Sequence, residues 1–121
     1  MKKIIVYTHP DCLLKDNGPN HPEKKERLQA VLESIQDISC IDIEIKDAPL
    51  AVVDDICLAH PVTHINNIFS LIPNFGLVGV EQEPYADTLL CSNSKNAILR
   101  SCGAGIAAAN KLIIDNEKRI F

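Results

Sequence analysis

"IIVYTHPDCLLKDNGPNHPEKKERLQAVLESI", residues 4–35, contains the change of pattern that decides the fold. Its first residues, within the run Lys2–Thr8, are β-branched or aromatic, as in a buried strand. From His9 to His21 the chain is irregular, with Pro10, Asn17-Gly18-Pro19 and Asn20 supplying turn conformations. A helical pattern follows. Pro22 suits a first helical turn because its missing N–H would have no partner there, and Glu23 suits the positive end of the helix dipole. Leu28, Val31, Leu32 and Ile35 then repeat at i, i+3, i+4 and i+7, forming one apolar stripe with Arg27 at its edge. A strand, a loop and an amphipathic helix in this order open an α/β domain.

The rest of the chain continues the alternation. "CIDIEIK" (40–46) has the period of a half-exposed strand. Asp54 and Asp55 are placed to cap a short helix through Ala59, and Pro61 to open another running to about Leu71. Residues 76–90 show little periodicity and read as a long surface loop with one short extended piece. The last helix is capped by Ser92 or Ser94 and ended by Asn116 and Glu117. Its Ile98, Cys102, Gly105, Ile106, Ala109, Leu112 and Ile113 share one face. Gly103, Gly105 and the nearby alanines imply close approach to a neighbour, at a cost in helix propensity where glycine is used. "KRIF" (118–121) reads as the start of a further strand. Two or three strands of a parallel sheet with flanking helices are expected, an incomplete layer with edges to cover.

Composition narrows the function classes. The chain has 121 residues, enough for one small domain, and a formal charge of −4, which disfavours nucleic acid as a partner. No uninterrupted apolar run approaches the roughly 20 residues of a membrane span, and the N-terminus lacks a signal-peptide core. The expectation is a cytoplasmic protein without nucleic-acid or membrane partners. Its five scattered cysteines, with no C-x-x-C, read as free thiols of a reducing compartment.

Several residues invite a chemical reading. Cys57-x-x-His60-x-x-x-His64 has metal-like spacing, but Pro61 interrupts the helix between the histidines and no fourth ligand stands nearby. "HPDC" (9–12) follows a strand, where α/β proteins place their sites, yet no third group orients a Cys–His pair. Glu23 and Arg27 read as an i, i+4 ion pair. Asp87 alone in a polar loop reads as a turn former. No glycine-rich phosphate loop, G-x-S-x-G or H-E-x-x-H occurs.

Three segments together resemble a known family. "HPDCLLKDNGPNHPEKKERLQAVLESI", "APLAVVDDICLAHPVTHINNI" and "DTLLCSNSKNAILRSCGAGIAAANKLI" are similar, in this order, to the opening of the zinc-dependent deacetylases of the histone deacetylase superfamily. Acetoin-utilisation-type deacetylases and acetylpolyamine amidohydrolases are the closest in style. The resemblance implies a partial arginase/deacetylase-like three-layer fold, with residues 1–121 as the N-terminal part of the domain. In the family, zinc polarises an acetyl carbonyl and activates water, a histidine moves the proton and a tyrosine stabilises the oxyanion. The motifs for those groups lie downstream of the matched region. The resemblance therefore implies no catalytic residue and no metal ligand in this chain, and no zinc bound by it alone. It places Arg27 in the channel beneath the site, Asp87 at the substrate rim and His21, Pro22 and Glu23 in the active-site loop. Lys15, Lys25 and His64 depart from the common His, Pro and Tyr. The implied function is that of a deacetylase fragment, inactive alone, which a separately encoded remainder would complete around a small acetylated substrate. The alternative is a non-catalytic binding or interaction module derived from the same fold.

Overall fold

A computed structural model of the protein describes residues 3–82, 86–116 and 118–121. The architecture is mixed α/β, built on a small parallel sheet. Strand β1 (Lys3–Thr8) pairs in parallel with β2 (Asp42–Asp47), from Lys3↔Asp42 to Thr8↔Asp47. Helix α1 (Lys25–Gln36) makes the crossover, as parallel pairing requires. On the other edge of β1, a parallel bridge joins Ile5 to Ile120. The Ile5 N–H donates to Arg119 O, the Phe121 N–H to Ile5 O and the Tyr7 N–H to Phe121 O. The strand expected in 118–121 thus pairs as a short extended segment, and β1 lies between two neighbours. That position explains its sequence: Ile5 and Val6 are buried, whereas every residue of β2 is exposed or half-buried.

A single 3-10 turn (Pro10–Leu13) follows β1. The first helix then begins at Lys25, three residues later than the Pro22 start expected from sequence, with Lys24 as a cap that makes no side-chain bond. The reason is local. The Glu23 N–H donates to His21 Nδ1 at 3.0 Å, and the Glu23 carbonyl accepts from Asn17 Nδ2 at 2.7 Å. Loop side chains hold both backbone groups of Glu23, so Pro22 and Glu23 stay in the loop.

After β2 come α2 (Val53–Ile56) and α3 (Val62–Leu71). Asp54 and Asp55 lie in the first turn of α2 instead of capping it, while Pro61 caps α3 at the expected place. Within the expected loop 76–90, β3 (Val78–Gly79) and β4 (Leu89–Leu90) form a short antiparallel ladder, extended by a bond from the Val80 N–H to Thr88 O. Residues 83–85 of that stretch, and Glu117, lie outside the described residues.

Helix α4 (Ser94–Ile114) is the longest element. Asn93 occupies its cap position, not Ser92 or Ser94. Ser94 is fully buried, and its hydroxyl accepts from the Cys91 N–H at 2.8 Å. At the other end Asn116 adopts φ 54°, a left-handed conformation suited to ending a helix. Its 21 residues, with a mean hydropathy of 1.3 over the most apolar window, are long and apolar enough to cross a membrane by length and composition. In this fold the same helix packs on the β2–α2 connection. The Ala51 N–H donates to Leu99 O at 2.9 Å, and a Cβ built on Gly103 would lie 1.8 Å from Pro49 O. The close approach inferred from the small residues is made at Gly103; Gly105 has nothing within 4 Å.

The core is thin. Its buried hydrophobic residues include Ile5, Val6, Ala48, Ile65, Leu90 and Ala97, while Leu58 and Phe75 are each 89% exposed and Ile113 is 80% exposed. The accessible surface is 8251 Å². A folded monomer of 13.3 kDa exposes about 6,450 Å² by the usual size scaling. The excess, roughly 1,800 Å², is of the order that one subunit buries in an obligate interface.

Two predictions follow from these contacts. Gly103→Ala should destabilise by about 3 kcal/mol, because the new methyl meets rigid backbone. Gly105→Ala, in open space, should be neutral or stabilising by up to about 1 kcal/mol. Urea midpoints of the two variants check this pair. On the sheet face, Lys3 and Lys46 flank Glu44 with Nζ–Oε distances of 2.6 and 2.7 Å, and Lys3 most strongly, then Lys46, lower its pKa to about 2 from 4.5. A carboxylate lowered in the folded state stabilises above its unfolded pKa and ceases to do so as pH falls through the folded one. Stability should therefore decline between about pH 4.5 and pH 2, and Glu44→Gln should shallow that decline in acid-titrated denaturation curves.

Candidate functional site

The carboxyl ends of β1 and β2 open into a cleft of about 510 Å³, the usual location of α/β sites. Thr8 and Ala48 stand at its strand side, Cys12 and Lys15 on the loop after β1, and Leu28 on α1. Arg100 enters from α4. The Arg100 guanidinium donates from Nε to Asp11 Oδ2 at 3.0 Å and from a terminal nitrogen to Ala48 O at 2.8 Å. One side chain on α4 thereby joins the ends of both strands. Asp11 is itself held, its N–H donating to His9 Nδ1 at 3.1 Å. The same Nδ1 lies 3.1 Å from Asp11 Oδ2. The "HPDC" residues are thus a structural turn. Burial, reinforced by the Asp11 charge, pushes the Cys12 thiol up, which keeps it protonated near neutrality.

The loop between the 3-10 turn and α1 forms one wall. Asp16 Oδ1 accepts from the Gly18 N–H at 2.8 Å, and Gly18 takes φ 91°, which an L side chain rarely adopts. Lys15 Nζ donates to Asn17 Oδ1 at 2.6 Å, and buried Asn17 donates to Glu23 O. These bonds place Glu23 in the cleft wall, and His21 one step outside it. His21 Nδ1 accepts from the Glu23 N–H, so Nε2 carries the proton and donates to Asp87 O at 2.8 Å. Asp87 lies 66 residues away in sequence. Its own N–H and that of Thr88 donate to Glu81 Oε2, each at 3.2 Å. The Thr88 bond first, with that of Asp87, holds the Glu81 carboxyl below its ordinary value. The Asp87 side chain remains 94% exposed, with Oδ1 3.6 Å from His21 Nε2.

Beneath this loop lies buried Cys91. Its Sγ accepts from the Asp16 N–H at 3.3 Å and lies 3.6 Å from Ser94 Oγ. Burial raises its pKa, but the bonds from Asp16, Ser94 and Asn93 outweigh that, and the net shift is downward. These bonds join the loop to the start of α4.

Of the residues singled out in the sequence, Glu23 lines the cleft, and His21 and Asp87 meet at its edge. Pro22 is exposed between them. Arg27 is exposed on α1 and does not line the cleft. The arginine that does is Arg100, and the sequence carried a signal for it: it is the sole charged residue between Lys95 and Lys111 in an otherwise apolar helix. The rings of His60 and His64 lie 5.5 Å apart, away from this cleft. Among the described residues, no group of three His, Cys, Asp or Glu side chains is close enough to hold a metal ion. No zinc-dependent step is assigned to these residues. No protein-family model and no curated protein matches the chain.

Arg100→Ala should cost about 2–3 kcal/mol, since it leaves the partly buried Asp11 carboxylate and the Ala48 carbonyl without their donor. Arg100→Lys should recover less than half of that, because an ammonium cannot donate along both directions of the guanidinium fork. Guanidinium chloride unfolding midpoints measure both.

Proposed function

We propose that this chain supplies the rim and first strands of an arginase/deacetylase-like three-layer domain of the zinc-dependent deacetylase type. Such a domain hydrolyses acetyl-amide bonds of acetyl-lysine or acetyl-polyamines; this chain holds substrate and is inactive alone. The observation that carries the reading is the His21–Asp87 contact. It holds the Asp87 backbone at the edge of a cleft over parallel strand ends and leaves the carboxylate exposed to solvent, with Oδ1 3.6 Å from His21 Nε2. An exposed carboxylate on a held backbone can accept a charge-assisted hydrogen bond from the amide N–H or ammonium of an acetylated amine. The ordered resemblance of three segments supplies the substrate class. The surplus of exposed surface supports a complementing polypeptide, the separately encoded remainder of the domain, as partner.

The second reading, a non-catalytic module on this fold, draws on Lys15. Its ammonium lies at the cleft, where it would attract an anion more than a neutral acetyl group.

Three measurements test these readings. The purified chain with added zinc should release no acetate from an acetyl-lysine peptide; zinc-dependent turnover by the chain alone would refute the fragment reading. N-Acetylputrescine should shift the backbone resonances of His21 and Asp87, and Asp87→Asn should weaken that binding about tenfold, the worth of one charged hydrogen bond. No shift at either residue removes the rim assignment. Cooperative unfolding of a monodisperse monomer would favour the second reading, and a molten, aggregating chain the first.

A further inference from the structure

A second pocket lies between α2, α3 and the first half of α4, and shares Ile98 and Cys102 of that helix with the cleft. Its volume is about 210 Å³. Ile65, Ile68, Phe69 and Ile98 make its floor, which is almost wholly apolar. No carboxylate lines it. The only polar wall is the pair His60 and His64, two exposed imidazoles with ring centroids 5.5 Å apart and no hydrogen-bond partner among the described residues. At the α4 end, Lys95 Nζ lies 5.2 Å from the centroid of the Phe69 ring, and Lys95 shares a helix face with Ile98 and Cys102. Pro61 caps α3 without a side-chain bond, so the positive end of that helix adds to the same rim. An apolar floor under a rim of hydrogen-bond donors and positive charge is complementary to one chemistry, an amphipathic anion. The volume limits its apolar part to about one ring or a short branched chain.

We propose that this pocket is a binding site for a small apolar carboxylate, an aryl or branched-chain acid. The apolar part fills the space over Ile65, Ile68 and Ile98, and the carboxylate meets the His60 and His64 imidazoles at the start of α3. The assignment does not depend on the deacetylase reading: the two cavities share only Ile98 and Cys102 of α4, and neither His21, Glu23 nor Asp87 takes part.

Benzoate is the probe, with benzyl alcohol as its uncharged counterpart and acetate as the carboxylate without the ring. In backbone-amide NMR titrations of the whole chain at one pH, benzoate should give saturable shifts confined to residues 56–69 and 95–102. It should bind about tenfold more tightly than benzyl alcohol, the worth of one charged hydrogen bond, with acetate weaker still. In the double variant His60→Ala, His64→Ala, that preference should fall below about threefold while benzyl alcohol affinity is unchanged. Both histidines are exposed, so the variant should keep the parent's circular dichroism spectrum. The proposal is overturned by any of three results: no saturable shifts, equal affinity for benzoate and benzyl alcohol, or an unchanged preference in the double variant.

Discussion

The fork of hydrogen bonds made by Arg100 is the contact on which the remaining geometry depends. Parallel strands end on the same side of a sheet, and here the Ala48 N–H just past β2 donates to the last carbonyl of β1, Thr8 O. Arg100 donates to the Ala48 carbonyl and to the carboxylate of Asp11 in the turn after β1. Both bonds tie α4 to the ends of β1 and β2. Arg100 is a suitable residue for this because its donors diverge at a fixed angle.

Once α4 is so placed, its small residues acquire separate roles. Gly103 must lack a side chain because Pro49 O occupies the Cβ position, and the Leu99 carbonyl accepts the Ala51 N–H in the same region. Gly105, two residues on, faces open space. The helix is therefore tightly seated along one side of its first half, while Ile113 and Ile114 near its end project outward. This uneven seating, with the wide surface of the whole chain, gives a scaffold that displays apolar area beyond what its own core uses.

The rim loop is held by hydrogen bonds and contributes little to the core. Asp16, Asn17 and His21 each satisfy a backbone group nearby, so the loop is specified residue by residue with little buried apolar surface. Those bonds also displace the start of α1 to Lys25. A helix beginning at Pro22 would have to break the two loop bonds at Glu23, and the first turn offers no side-chain cap in exchange. The result is a wall with Glu23 toward the cleft and His21 against Asp87.

The sequence by itself determined the α/β alternation, the two parallel strands, the start of α3 at Pro61 and the extended pairing of the last residues. Each rests on a periodicity or a backbone restriction that acts within a few residues. It also foretold a close approach by the small residues of α4, since glycine in a helix needs a compensating contact. Only tertiary structure decided which glycine makes that contact, because Gly103 and Gly105 differ only in what lies opposite them. It likewise put Arg100 in the cleft, brought His21 to Asp87, and made a short ladder of residues expected to be loop. These outcomes join groups far apart in the chain. Local propensity carries no term for such pairs, which are fixed only when α4 docks and the hydrogen-bonding groups of two distant segments must satisfy each other.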